Sequence, residues 1–335
     1  MKIFALNRTT DPAQAVATAS KAKTAQQGAE IRFIGGGTTL IDLMKLNVEQ
    51  PQTLIDINRL PLDKIEALPD GGLTIGAVAR NSDLAFHPLV RKNYAVLSEA
   101  ILSGASAQLR NMATTAGNLL QRTRCYYFYD TAYPACNKRR PGSGCAAREG
   151  YNRIHAIFGA SPQCVATNPS DMSVALLALD AFVDVRSARG SRRIPLTDFH
   201  RLAGSTPERD TNLDRDELIV GVILPPSRFG GRVDYLKVRD RASYAFALVS
   251  VATGLRVVDG RVADARVTLG GVAHKPWRAE AAERALIGRP LNNETIAAAS
   301  DAAVVGAIPL RDNAFKVDLA RRTVARALRN AGAVA

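Results

Sequence analysis

Short apolar runs alternate with amphipathic segments along the first two thirds of the chain. Apolar runs of about four to eight residues bounded by turn residues predict buried strands, and a 3.6-residue repeat of apolar positions predicts helices. The predicted strands lie at residues 31–34, 53–56, 73–76, 181–187 and 216–224. The predicted helices lie at residues 40–46, 94–102 and 172–179, the last of them capped by Ser170 or Asp171. A further short helix is predicted to begin at residues 81–83, and turns are predicted at 70–72 and 189–191.

The last third of the chain has a different order of elements. Two prolines and the glycine-containing run at 227–231 predict a domain boundary. Beyond it, the pattern predicts strands at 233–239, 247–258 and 262–272, and helices at 278–286 and 315–328. We therefore expect a small α+β domain with an antiparallel sheet.

Three glycines and two threonines, residues 35–39, join the strand at 31–34 to the helix that follows it. The glycines allow a ligand to approach the main chain closely, and the threonines add hydroxyl donors. Because main-chain N–H groups at the start of a helix attract anions, the run is a candidate phosphate-binding loop. Its spacing matches neither G-x-G-x-x-G nor a Walker A loop, and an ordinary tight turn is the alternative.

Small and hydroxyl-bearing residues crowd the segment LRNMATTAGNLL at 109–120, close before the first cysteine. A segment with such short side chains is suited to lie flat against a planar ligand, which makes it a second candidate binding element. The alternative is an irregular loop between core elements.

Composition limits the classes of function. The 335 residues are 47% hydrophobic and carry a formal charge of +13, from 44 Lys and Arg against 31 Asp and Glu. This length predicts two or three domains with a large core. We expect no membrane insertion, because no apolar run is long enough to span a bilayer and the first residues lack a signal-peptide pattern. We expect no nucleic-acid partner, because the arginines are scattered and no nucleic-acid-binding module is recognisable.

All four cysteines lie in one window of 40 residues. They are Cys125, Cys136, Cys145 and Cys164, and the ten, eight and eighteen residues between them match neither a CxxC zinc motif nor a ferredoxin motif. Residues 122–153 carry seven Lys or Arg against two acidic residues. Because cations lower the pKa of thiols and offset the charge of a thiolate-bound cluster, the window favours an iron–sulfur cluster.

Three other uses of these cysteines stay open from the residues alone: structural zinc, disulfides and unlinked buried thiols. The spacing does not choose among them. His155 is the histidine nearest to the window, either as a substitute ligand or, as is commoner for a lone histidine, as a packing or surface residue.

Four segments together resemble the FAD-binding subunit of the molybdenum hydroxylases, the xanthine dehydrogenase and carbon monoxide dehydrogenase family. They are FIGGGTTLIDLMK at 33–45, LRNMATTAGNLLQRTRC at 109–125, PSDMSVALLALDA at 169–181 and KVRDRASYAFALVSVA at 237–252. The resemblance spans essentially the whole chain and implies an α+β fold. A two-subdomain FAD-binding domain of the PCMH type would occupy residues 1–226, and a C-terminal domain of the CO dehydrogenase flavoprotein type would occupy 227–335.

Within this family, the CNKRRPGSGCAA stretch and the four cysteines are most similar to FAD subunits of periplasmic aldehyde oxidoreductases that carry an additional [4Fe-4S] cluster. The resemblance implies that the four cysteines hold this cluster on an inserted loop at 122–164. It implies that residues 32–40 bind the FAD diphosphate, that Asp171 contacts the cofactor and that Lys237 lies near the isoalloxazine, where a cation stabilises the reduced flavin. Helix capping explains Asp171 almost as well, and an ordinary strand lysine is the alternative for Lys237. The residues implied for FAD are Arg32, Phe33, Ile34, Gly35, Gly36, Gly37, Thr38, Thr39, Leu40, Ala113, Thr114, Gly117, Asn118, Leu120, Asp171 and Lys237.

The resemblance also implies that the chain transfers electrons. No molybdenum-binding motif is recognisable, and four cysteines are too few for two [2Fe-2S] clusters, so partner subunits are expected to hold those groups. A large subunit with the molybdenum cofactor would oxidise an aldehyde to a carboxylate. Electrons would pass through a small [2Fe-2S] subunit to FAD and then to an external acceptor. The alternatives are the flavin subunit of a related xanthine or CO dehydrogenase-type hydroxylase, a free-standing flavin oxidase, and a zinc-stapled nucleic-acid-binding protein.

The expected location follows from the same resemblance. The chain would be exported to the periplasm as the folded passenger of a partner that bears a signal sequence. Without such a partner we expect a cytoplasmic protein.

Overall fold

The computed structural model describes residues 1–24 and 28–333. Its strands are β1 (Ala5–Arg8), β2 (Ile31–Ile34), β3 (Thr53–Asp56), β4 (Ile65–Ala67), β5 (Leu73–Gly76), β6 (Phe182–Ser187), β7 (Gly190–Pro195), β8 (Leu218–Leu224), β9 (Val233–Val238), β10 (Val249–Val258), β11 (Arg261–Gly270) and β12 (Trp277–Arg278). Its helices are α1 (Pro12–Ala19), α2 (Leu40–Lys45), α3 (Asn81–Phe86), α4 (Pro88–Asn93), α5 (Ala95–Ser103), α6 (Ala107–Met112), α7 (Thr115–Leu119), α8 (Tyr126–Tyr129), α9 (Asp171–Ala178), α10 (Leu196–Phe199), α11 (Glu280–Leu286), α12 (Asn293–Ala302) and α13 (Phe315–Gly332). Within the described ranges, no helix combines the length and apolar character needed to cross a membrane.

The N-terminal part of the chain forms two sheets. A three-stranded parallel sheet has the order β1-β3-β2, so that β3 pairs with both neighbours. A five-stranded antiparallel sheet has the order β4-β5-β8-β6-β7. The glycine run begins directly after β2 and leads into α2, at the carboxyl edge of the parallel sheet, where open sheets commonly bind ligands.

The C-terminal part contains the predicted antiparallel sheet, in the order β12-β11-β10-β9. Helix α13 packs across β10 and β9, and the neighbouring α11 and α12 complete that layer. Leu255, Leu269 and Val324 are fully buried between these elements. The sheet therefore forms the floor of a second hydrophobic core.

Helix α9 joins the two parts of the molecule. All eight of its residues are buried, because it packs against α5 on one side and against β10 and β11 on the other. The Thr268 hydroxyl donates a hydrogen bond to the Val174 carbonyl at 2.9 Å, which ties the C-terminal sheet to this helix. A helix that is apolar on every face is expected in such a fully enclosed position.

Predicted elements with strong local patterns are confirmed. The strands predicted at 31–34, 53–56 and 73–76 coincide with β2, β3 and β5. Ser170 caps α9, since its Oγ accepts a hydrogen bond from the Ser173 N–H at 3.0 Å, and Asp171 is the first residue of the helix.

Elements with weak patterns differ from the prediction. The segment at 109–120, for which an irregular loop was the alternative to a binding element, contains most of α6 and all of α7. The turn predicted at 189–191 includes the first residues of β7, an edge strand whose side chains are mostly exposed and therefore lack the expected alternation. Helix α12 was not predicted, because its sequence NETIAAASDA has few large apolar residues.

Candidate functional site

The glycine run packs directly against the second candidate segment. A Cβ atom at Gly36 would overlap the Met112 carbonyl oxygen, and one at Gly35 would lie 2.8 Å from Thr114 Oγ1. Gly37 has a φ of 72°, a conformation that favours glycine. The two segments therefore need glycine at 35 and 36 to form one wall, and the backbone conformation favours glycine at 37.

Two adjoining cavities lie along this wall. A small one of about 60 Å³ follows residues 32–40 from β2 into α2. A larger one of about 470 Å³ continues from Thr38, Thr39 and Gly117 towards the C-terminal domain. Cofactor pockets commonly span about 300–1,000 Å³. Every residue that the resemblance implies for FAD lines one of these two cavities.

The larger cavity also contains residues that the sequence did not single out. Arg110, Arg124 and Arg241 line it together with Lys237, against the two acidic residues Asp42 and Asp171. This excess of positive charge suits an anionic ligand such as a diphosphate. No spacing rule pointed to these arginines, because they come from separate parts of the chain.

Two further lining residues have unusual local environments. Asn81 is buried, and among the described residues its Oδ1 atom has no hydrogen-bond partner. Tyr244 is exposed and has a φ of 52°, which is uncommon for a residue with a side chain. An unused acceptor and a strained backbone are typical of ligand-binding positions.

Asp171 and Lys237 contact each other at the wall of the larger cavity. Lys237 Nζ donates to Asp171 Oδ2 at 2.8 Å and to the Ser103 carbonyl at 3.1 Å. The Tyr235 hydroxyl donates to Asp171 Oδ1 at 2.6 Å, and burial together with that carboxylate raises the pKa of Tyr235 well above its usual value. The Lys237 side chain is only 4% exposed, so it is not an ordinary solvated strand lysine.

The four cysteines surround one small cavity, although only short turns and α8 connect them. Cys136 and Cys145 face each other in an isolated antiparallel bridge, and Cys164 forms another bridge with Ser161. All four are free thiols; Cys145 is partly exposed and the other three are buried. Across residues 1–24 and 28–333, no group of three or more His, Cys, Asp or Glu side chains is arranged to hold a single metal ion.

The environment of the thiols differs from the expectation of lowered pKa values. Burial raises the pKa of Cys125 to about 12 and that of Cys164 to about 11; Lys138 lowers the pKa of Cys164 but does not overcome burial. Four thiolates in this cavity therefore require a positive charge among them. Iron or another thiophilic metal supplies such a charge, so the donor set fits a thiolate-bound cluster.

Two basic residues of the cysteine loop, Lys138 and Arg139, use their side chains to hold the loop in place. Arg139 donates hydrogen bonds to four main-chain carbonyls of the loop, those of Tyr127, Phe128, Asp130 and Tyr133. Lys138 is buried; its Nζ bonds to Asp210 and to the Pro207 carbonyl at 2.7 Å. These contacts fix the loop against the rest of the domain.

A buried chain of ion pairs connects the glycine run to the cysteine loop. Glu49 pairs with Arg32 and with Arg122, the latter at 2.8 Å. Arg122 pairs with Asp210 at 2.9 Å, and Asp210 pairs with Lys138. Burial alone would raise the pKa values of Glu49 and Asp210, but the adjacent cations hold both below their usual values. We refer to these five residues as the ionic chain.

Both parts of the sequence match known protein families. Residues 7–227 match the FAD-binding domain in molybdopterin dehydrogenase, and residues 234–331 match the CO dehydrogenase flavoprotein C-terminal domain. The chain belongs to the FAD-binding subunits of the molybdenum hydroxylase family. The predicted fold class and the predicted oxidoreductase family are thereby confirmed.

Individual relatives of this FAD-binding subunit match it over all or nearly all of its length. It is 54% identical over 336 residues to the aldehyde oxidoreductase FAD-binding subunit PaoB of Escherichia coli (strain K12), with 100% of each chain covered. It is 27% identical over 314 residues to the carbon monoxide dehydrogenase medium chain of Hydrogenophaga pseudoflava, with 92% of this chain and 91% of that one covered. A solved structure of carbon monoxide dehydrogenase from H. pseudoflava matches with a TM-score of 0.77 at 26% identity, with 99% of this chain and 98% of that one covered.

We expect Gly36→Ala to weaken FAD binding by the subunit about tenfold or more, because the added methyl group overlaps the Met112 carbonyl and separates the two segments of the wall. Fluorimetric measurement of the FAD dissociation constant tests this. Gly230→Ala is the control, since it adds a methyl group in open space at a positive φ. Wild-type FAD affinity in Gly36→Ala would contradict the assignment of the wall.

We expect Glu49→Gln to lower the free energy of unfolding of the subunit by about 3–5 kcal/mol at pH 7, because it leaves Arg32 and Arg122 buried without their shared carboxylate. The pKa of Glu49 is lowered in the folded state, so its pairing stabilises above the unfolded pKa of about 4.3 and is lost as pH falls through the folded pKa. Denaturant titrations from pH 7 downwards should therefore show the two proteins converging in acid. A constant difference at every pH would exclude this origin.

Proposed function

We propose that this FAD-binding subunit carries FAD and a [4Fe-4S] cluster in a heterotrimeric, molybdenum-containing aldehyde oxidoreductase. The observation that carries the proposal is the 54% identity, over the full length of both chains, to an aldehyde oxidoreductase FAD-binding subunit. The chain is also 29% identical to a glyceraldehyde dehydrogenase medium chain and 27% identical to a carbon monoxide dehydrogenase medium chain. These lower identities support the subunit type but do not distinguish between the substrates.

In this proposal, the molybdenum cofactor and two [2Fe-2S] clusters belong to a large and a small partner subunit. An aldehyde and water become a carboxylate on the large subunit, with release of two electrons and three protons. When bound here, FAD supplies the capacity to take up both electrons and release them to an external acceptor.

The chain's own residues hold and orient the flavin. Main-chain N–H groups of residues 35–37 and the hydroxyls of Thr38 and Thr39 would bind the diphosphate, and the arginines of the larger cavity would neutralise its charge. Lys237 would supply a positive charge that favours the reduced flavin. Asp171 and the Ser103 carbonyl hold the Lys237 ammonium group in place.

The four cysteines supply the thiolates for the proposed [4Fe-4S] cluster. Their shared cavity and their free state support this use of the site. We call the cavity between the four cysteines the cysteine cavity and the larger cavity beside the glycine run the flavin cavity. Thr123 and Cys125 line the cysteine cavity, whereas Arg124 between them lines the flavin cavity. This adjacency supports a role as electron relay or reservoir beside a structural one.

We also propose a periplasmic location, in which the subunit is exported as the folded passenger of a signal-bearing partner. In an organism without such a partner the complex stays in the cytoplasm. Cell fractionation followed by immunoblotting of this subunit distinguishes the two.

The substrate assignment is tested on the assembled complex. We expect this subunit, tagged and purified from its native source, to bring a molybdenum subunit and a [2Fe-2S] subunit, and the complex to reduce a dye with aldehyde and not with xanthine or carbon monoxide. The isolated subunit should show no aldehyde turnover. Turnover by the isolated subunit would indicate a free-standing flavin oxidase, and turnover of xanthine or carbon monoxide would indicate a related hydroxylase.

We expect Cys136→Ser to lose most of the iron of the subunit while FAD remains bound. The cavity between the cysteines and the small cavity along residues 32–40 share no lining residue. Iron, zinc and flavin analysis measures both, with about four irons and no zinc expected per wild-type chain. Arg140→Ala is the control, since it changes an exposed residue of the same loop. Stoichiometric zinc without iron in the wild-type protein would reject the cluster. Joint loss of iron and FAD in Cys136→Ser would show that the cysteine loop stabilises the FAD-binding domain.

A further inference from the structure

A histidine side chain contacts the sulfur of Cys125. The His155 Nε2 atom lies 3.1 Å from Cys125 Sγ. The main-chain N–H groups of Phe128 and Tyr129 donate instead to the Cys125 carbonyl, each at 3.1 Å. His155 is a side chain that the proposed function does not use.

His155 is held in place by the C-terminal domain. Its side chain is buried, with the residue 1% exposed, beside the rings of Tyr126 and Tyr127. Its carbonyl accepts hydrogen bonds from Lys316 Nζ at 2.9 Å and from Asn313 Nδ2 at 3.0 Å. Lys316 is completely buried at the start of α13. The position of the imidazole is therefore fixed by residues that lie about 160 positions further along the chain.

Either ring nitrogen of a neutral imidazole can carry the proton and act as the donor. The His155 Nδ1 atom has no hydrogen-bond partner in the part of the chain that the structure describes. An unprotonated Nε2 would direct its lone pair at a thiolate sulfur, so the contact with Cys125 favours the tautomer that carries the proton on Nε2.

We propose that His155 donates an N–H···S hydrogen bond to Cys125 and thereby raises the reduction potential of the [4Fe-4S] cluster. The inference rests on the proposed cluster and makes His155 a positioning residue, not a ligand. One-electron reduction adds negative charge to the cluster and its thiolates without making or breaking a bond. A donor at a ligand sulfur stabilises the reduced state more than the oxidised state.

The test compares two substitutions in the complete complex. His155→Phe keeps an aromatic ring of similar size but removes the donor, and His155→Gln keeps an N–H donor in the side chain. We expect His155→Phe to make reduction of the cluster about tenfold less favourable, which is about 59 mV for a one-electron couple. His155→Gln should restore most of this difference. Redox titration followed by EPR measures the potential.

Two controls separate this effect from a general change in the protein. The flavin potential, measured in the same titration, should stay unchanged because His155 does not line the flavin cavity. Tyr126→Phe changes a ring next to His155 that has no hydrogen bond to the sulfur, and should leave the cluster potential at the wild-type value.

The outcomes distinguish the two levels of the proposal. An intact cluster with wild-type potential in His155→Phe would overturn the inference and leave the proposed function standing. Wild-type protein without iron would overturn the proposed cluster itself. If His155→Phe fails to assemble, pulsed EPR of the reduced cluster in wild-type protein labelled with ¹⁵N-histidine measures the magnetic coupling between the cluster and the histidine nitrogen. A weak ¹⁵N coupling supports the hydrogen bond, and a strong coupling from an Fe–N bond, or none, overturns it.

Discussion

The Arg122 guanidinium is the group on which both parts of the site depend. It lies at the middle of the ionic chain, between Glu49 on the side of the glycine run and Asp210 on the side of the cysteine loop, and it stacks on Phe128 of that loop. Buried charges are tolerated only when every member is paired, so none of these residues can move without exposing a partner to an apolar surrounding. The ion pairs of Arg122 therefore fix the glycine run and the cysteine loop relative to each other.

The flavin cavity imposes a second constraint, because it belongs to neither domain alone. Its wall of short side chains comes from the N-terminal domain, and Lys237, Tyr244 and Phe246 come from the C-terminal domain. Arg124 links the two, since its guanidinium stacks 4.7 Å from the Phe246 ring centre and pairs with Asp42 on α2. The buried helix α9 keeps the domains at this separation. A cofactor bound in the cavity contacts both domains and thereby stabilises their arrangement.

Much of this arrangement was predictable because its signals are local. The strand at 31–34, the glycine run and the cap at Ser170 each depend on a few consecutive residues, and the structure contains all three. The family was recognisable from short motifs that lie close together in the folded chain.

The electrostatics were less predictable, because the number of charged residues around the cysteines does not reveal which groups their side chains contact. Lys138 and Arg139 are directed to carbonyls and to Asp210, and burial controls the thiol pKa values instead. His155 was weighed as a packing residue because only the fold brings α13 and Lys316 against it.

The unequal exposure of the four cysteines has a consequence for how the protein matures. Cys125, Cys136 and Cys164 are enclosed by protein, and Cys145 alone reaches the outer surface of the loop. An inorganic cluster assembled in the finished fold would have to enter past that single residue, whereas one delivered earlier would meet four accessible thiols. For the proposed cluster, the architecture thus favours a biosynthetic order in which iron and sulfide arrive before the loop closes. In an exported complex, that step would belong to the compartment in which the chain is made.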